Sequence, residues 1–116
     1  MSVMNRKVYH DGTSVFKEGE TASRAFLVES GQVEIRKEID GKEVVLGTVD
    51  KGGIFGEMAL IDNAPRMASA VAVGETVLVV ITQTLFEDKL READPFIRAL
   101  LKIFVRNIRG AAQKAK

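Results

Sequence analysis

Glu57 and Arg66 are the side chains whose setting asks for a ligand, and the stretch that carries them runs from Gly52 to Ala70 as GGIFGEMALIDNAPRMASA. Gly52, Gly53 and Gly56 let the backbone turn tightly and approach a bound group with no Cβ in the way. Glu57 to Ile61 suits one short helical turn, and the first amides of such a turn point free N–H groups at whatever lies in front of them. Pro65 ends any helix. Arg66 follows directly, placed to close a planar guanidinium fork on the same anion with charge-assisted bonds that a lysine does not reproduce. Glu57 is the odd member, since a carboxylate does not contact a phosphate; it is a good acceptor for sugar hydroxyls. Either charge alone would be an ordinary surface group. Joined in this order to the glycines and Pro65, they describe an anion cradle beside a hydroxyl acceptor, the chemistry of a sugar phosphate or nucleotide.

The run from Phe55 to Ser69, FGEMALIDNAPRMAS, resembles without a gap the phosphate-binding cassette of the cyclic nucleotide-binding domain family, whose members bind cyclic AMP or cyclic GMP. The resemblance implies a β-roll with flanking helices. It also implies roles by position: Glu57 as acceptor of the ribose 2′-hydroxyl, Arg66 as partner of the cyclic phosphate, and Gly56, Met58 and Ala59 as backbone amide donors. Phe55 opens the motif, and Ser69 or the Ala68 amide would lie beside the phosphate or base. Met67 stands where members selective for cyclic GMP carry a threonine hydroxyl. A thioether donates no hydrogen bond, so cyclic AMP is the expected ligand and cyclic GMP the second choice.

Composition bounds the rest. The chain has 116 residues, 46% of them hydrophobic, and no linker-like run, which predicts a single domain over 1–116 burying about two-thirds of its unfolded surface. No apolar run approaches the roughly 20 residues that cross a bilayer, and Met1-Ser-Val-Met-Asn-Arg-Lys7 lacks the apolar segment of a secretion signal, so a cytoplasmic location is expected. With no cysteine and one histidine, disulfides, thiolate metal sites and thiol catalysis are excluded and a zinc site nearly so. No cofactor is expected besides the nucleotide ligand.

The elements that must position the cassette follow from periodicity. Val8 to Phe16 reads as two short strands around Asp11-Gly12, with His10 and Asp11 a solvated turn pair, and Lys17-Glu-Gly-Glu20 reads as another turn. Ala25–Glu29 and Gln32–Ile39 are strand-like, joined at Ser30-Gly31, with Val33 and Ile35 alternating against Glu34 and Arg36. Asp40-Gly41 predicts a type I′ hairpin pairing 33–39 with 42–49. After the cassette come Ser69–Val73 and Thr76–Thr82, split at Gly74-Glu75. Short strands with regular turns predict a mainly β protein, an antiparallel roll or jelly roll of about eight strands over about 7–82. Two helices follow. Thr84 and Glu87 form a capping box for a helix over about 84–92, and Asp94-Pro95 starts another over about 95–112, which Gly110 loosens at its end.

On the last helix Phe96, Ile97, Leu100, Leu101, Phe104, Val105 and Ile108 recur at helical spacing opposite Arg98, Lys102, Arg106 and Arg109, and the stripe is expected to pack on the roll. In the resembled family this helix closes over the bound base. The resemblance therefore implies Phe104, Val105, Arg106, Ile108 and Arg109 as lid positions, with Val33, Ile35 and Val49 either flooring the base or forming plain core.

The functional expectation is a cyclic nucleotide sensor that rearranges its C-terminal helices and signals to a protein effector in trans, or to a domain outside this chain. The alternative is a β-roll interaction module that needs no ligand and acts through its basic C-terminal helix. A membrane-surface or nucleic-acid role for Arg98 to Lys116 is a poorer reading, since charges on a helix usually form a solvated face; no nucleic acid and no membrane span are expected. An enzyme is the weakest reading, because no nucleophile, paired carboxylates or metal cluster accompanies Glu57.

Overall fold

A computed structural model describes residues 5–114, with side chains described as far as 111; the N-terminal Met1-Ser-Val-Met4, the Lys114 side chain and Lys116 lie outside the described residues. The elements are β1 (Asn5–Tyr9), β2 (Ser14–Phe16), β3 (Arg24–Ile39), β4 (Lys42–Val49), β5 (Ile54–Phe55), α1 (Met58–Asp62), β6 (Ser69–Thr82), α2 (Gln83–Glu92) and α3 (Pro95–Lys114).

The two long strands β3 and β6 pair antiparallel down the middle, and each carries two partners on its outer edge. The second half of β6 holds β1, from Asn5↔Val80 to Tyr9↔Thr76, while its first half holds β2. β3 likewise pairs with β5 through Phe26 and Leu27 and with β4 from Val33 to Ile39. The halves meet at Ser30–Gln32, where the β3–β6 register shifts. Phe26, Val28, Leu78 and Val80 from one half cluster with Val33, Ala70 and Ala72 from the other, together with Tyr9 and Phe55. A cluster shared by both halves requires them to face each other, so the sheet closes on its core as a β-roll.

Two expected turns are kinks within continuous strands, which with the short β5 at the start of the cassette gives six strands among the described residues. At Gly31 (φ 88°) a Cβ would stand 2.5 Å from Thr76 Oγ1, so the strands approach too closely for any side chain. The buried Thr76 hydroxyl donates to Gln32 O at 3.1 Å and accepts from Gln32 N at 3.3 Å, carrying the pairing across the kink. The Asp40-Gly41 hairpin forms as expected, with φ of 53° and 78° and Ile39 opposite Lys42. Asp11 turns its carboxylate to Gly74 N at 2.7 Å rather than to His10.

Two helix details correct the sequence reading. The cap of α2 is Thr82, whose Oγ1 accepts from Leu85 N at 3.2 Å; β6 stays extended to Thr82 (ψ 156°), so the last strand residue takes the N-cap geometry and Thr84 is already inside the helix. Glu87 instead accepts from Gln83 Nε2 at 2.9 Å. α3 begins as expected, with Asp94 Oδ1 accepting from Phe96 N at 2.8 Å, but it continues through Gly110 to Lys114. The roughly 1 kcal/mol that an interior glycine costs does not break it between helix-forming neighbours.

The apolar stripe of α3 does not pack on the roll as a whole. Val105 is buried, Leu100 and Leu101 are partly so, and Phe96 and Phe104 are 71% and 52% exposed. The element that α3 contacts most is α1, and a helix of five residues covers only one line of side chains. No helix of the described residues is long and apolar enough to cross a membrane.

Candidate functional site

The cradle is built where β5 leaves the sheet. Ile54 and Phe55 pair with Leu27 and Phe26, and Gly56 (φ 81°) then swings the chain into α1. A Cβ on Gly56 would lie 2.9 Å from Arg66 Nη1 and 3.1 Å from the Phe16 ring, so this turn admits only glycine. No side chain caps α1, leaving its first amides, those of Met58 and Ala59, without helical partners. Asn63 ends the helix in the left-handed region (φ 56°), two positions before Pro65.

Arg66 returns to the sheet under tight control. Its amide donates to Glu20 O at 2.9 Å and its carbonyl accepts from Gly19 N at 2.8 Å, so the 17–20 turn clamps its backbone from both sides. Its side chain is 6% exposed. Nη1 donates to Gly56 O at 2.7 Å and Nη2 to Arg24 O at 2.6 Å. The Phe16 ring lies under the guanidinium, 3.9 Å from Cζ to centroid. Nε is buried and, among the described residues, lacks a hydrogen-bond partner. Burial pulls the guanidinium below its ordinary pKa, with Glu20 and Glu57 acting against that shift. Burial also raises the Glu57 carboxyl, opposed by its own backbone amide and by Arg66. A buried cation with one donor left unpartnered makes Arg66 the candidate group for holding an anion.

Glu57 and Arg66 share a cavity of about 290 Å³, near the roughly 300 Å³ lower bound for small-molecule sites. Its lining takes Phe55 to Ala59 and Arg66 to Ala68 from the cassette. Ile35 and Val49 of the sheet and Ile108 and Arg109 of α3 add apolar and basic side chains to it.

The remaining expected positions fall elsewhere. Val33 is fully buried in the core cluster, because its inward side of β3 faces the opposite half of the roll. Phe104 and Arg106 are exposed and Val105 is buried, and none of the three lines the cavity. Ser69 sits at the start of β6, and its Oγ accepts from Glu18 N at 2.9 Å. Sequence reasoning missed Phe16 and Ile54, both in the lining. Ile54 adjoins the motif and alternates with Gly53 and Phe55; no spacing signal ties Phe16 to Arg66.

α3 is fastened by charge. Arg109 forks onto both Asp62 carboxylate oxygens and donates to Pro65 O at 3.1 Å, tying α3 to the end of α1 and to the residue before Arg66. Behind the cassette, Lys37 Nζ donates to Met67 O at 2.8 Å and to Glu18 at 3.0 Å, holding the residue after Arg66.

The family model described as "Cyclic nucleotide-binding domain" matches residues 6–93. This chain belongs to the cyclic nucleotide-binding domain family. Among curated relatives, the cyclic AMP receptor protein of Thermus thermophilus is 32% identical over 112 residues, 96% of this chain and 52% of its own length. The cAMP-dependent protein kinase type II regulatory subunit of Drosophila melanogaster is 35% identical over 84% of this chain and 28% of its own length. Solved structures of the EAL enzyme Bd1971 superpose with TM-scores of 0.90 for the cAMP-bound form, at 30% identity, and 0.87 for the cGMP-bound form, at 32% identity. Both matches cover 96% of this chain and 30% of that protein. The chain thus spans about half the length or less of these curated relatives. The matched residues take in the roll, the cassette turn and α2.

Proposed function

We propose that this cyclic nucleotide-binding domain is a sensor whose cavity takes cyclic AMP in preference to cyclic GMP. The observation that carries the reading is the buried Arg66 guanidinium, with its Nε unpartnered among the described residues, in one cavity with Glu57. Arg66 and the amides of Gly56, Met58 and Ala59 hold the cyclic phosphate, Glu57 accepts from the ribose 2′-hydroxyl, and Ile35, Val49 and Ile108 flank the base. Met67, in the lining, offers a thioether and no hydroxyl, which favours adenine, although a relative of this fold is known with either nucleotide.

Signalling requires that the ligand bind one arrangement of cassette and helix better than another. The Arg109 contacts to Asp62 and Pro65 make α3 answer to any shift of α1 or Arg66, and the exposed Phe96 and Phe104 give α3 a face for a protein effector in trans or a domain beyond this chain. Residues 1–116 act as one module.

The test is calorimetric titration of wild type and Arg66→Ala with cyclic AMP. Losing charge-assisted bonds worth about 1.5–3 kcal/mol should weaken binding about 10- to 150-fold; undiminished affinity sinks the reading. A second reading, an interaction module that needs no ligand, draws on the same exposed face of α3. Nucleotide-free protein that gives no heat with either cyclic nucleotide would select it.

A further inference from the structure

We propose that Phe16 is a positioning residue for Arg66, its ring face fixing the plane in which the guanidinium meets an anion in the cavity. The proposal rests on the cyclic nucleotide reading above. An arginine side chain carries about 2 kcal/mol of rotamer entropy that binding must otherwise overcome. The carbonyls of Gly56 and Arg24 hold the two terminal nitrogens in the plane of the fork. They do not stop the fork from tilting out of that plane. The ring does so at 3.9 Å, and its negative face suits a cation whose water has been removed.

Phe16 is itself held firmly. β2 fixes its backbone opposite Ala70, and its ring joins a block with Phe26 and Phe55, at centroid distances of 6.1 and 6.0 Å. The same ring edge crowds the Gly56 position, so one aromatic side chain sets both the cassette turn and the cation it presents. A leucine here would fill much of the volume but offer no π face.

The experiment is a double-mutant cycle read by calorimetry with cyclic AMP, with thermal melts of every variant. Phe16→Leu is expected to weaken binding about 3- to 20-fold, and Phe16→Tyr to restore wild-type affinity within about twofold, since the ring face is kept. In an Arg66→Gln background, Phe16→Leu should change affinity less than about twofold, because no cation remains to be placed. If Phe16→Leu melts below the assay temperature, Phe16→Met, unbranched and aliphatic, replaces it. Wild-type affinity in the aliphatic variant, or an equal loss in both backgrounds, overturns the positioning role and leaves Phe16 as core packing. A wild-type chain that binds no cyclic nucleotide instead overturns the proposed function, and this proposal with it.

Discussion

The cassette and α3 border one cavity but are held by opposite means. Residues 56–69 are held by backbone bonds from Arg66 to the 17–20 turn, by Lys37 on the Met67 carbonyl, and by a cation laid on an aromatic ring. α3 rests on buried Val105, partly buried neighbours and the Arg109 contacts, with much of its apolar stripe in water. The cassette is thus held by several short contacts to neighbouring segments. α3 is attached through few points, which suits the reporting role proposed for it, since parts that move come from the less stable end of a structure.

The largest expected effect that would break this contrast lies in the turn. Gly56→Ala puts a Cβ against Arg66 Nη1 at a positive φ, a strain of about 1–3 kcal/mol. It should lower the melting temperature and weaken cyclic AMP binding at least as much as the loss of one arginine contact. Retained affinity would show that the cassette wall is softer than its contacts imply. On α3 the two neighbouring side chains should differ: Val105→Ala, removing buried methyl groups, is expected to cost about 1–3 kcal/mol in a denaturant melt, and Phe104→Ser less than about 0.5 kcal/mol. Equal costs would mean that Phe104 is covered in solution.

The smallest effect is a pH dependence that sharpens the comparison. Desolvation raises the Glu57 carboxyl, so the folded, ligand-free chain holds that proton more tightly than the unfolded one. The stability it contributes is present at low pH and is lost as pH rises through the raised value. A ribose hydroxyl donates to the ionised form, so cyclic AMP affinity should run the other way, falling as pH drops through the same window. That fall should begin at a higher pH than for an exposed glutamate. Titrations across pH 8 to 4.5 on wild type and Glu57→Gln check it; a fall of the same size in Glu57→Gln would place the proton elsewhere.

Much of the cassette was legible because its constraints are local. Gly56 needs its positive φ whatever surrounds it, Asp40-Gly41 closes its hairpin from turn chemistry, and Asp94 caps α3 from two residues away. The errors arose where distant partners decide. Ser30-Gly31 and Gly74-Glu75 look like turns until β3 and β6 lie together, when pairing across Thr76 keeps each strand continuous. Thr84 satisfies a capping pattern, yet the extended end of β6 gives the cap to Thr82.

The sequence by itself determined the turn chemistry, the alternation that makes a roll, and the order of charges and glycines that marks the cassette, because these act over a few bonds. Only the tertiary structure decided that Phe16 lies under Arg66, that Ile108 and Arg109 line the cavity while Phe104 does not, and that Val33 is core. Each depends on strand register and on which side of a helix meets its neighbour, and those are settled by packing between segments far apart in the chain.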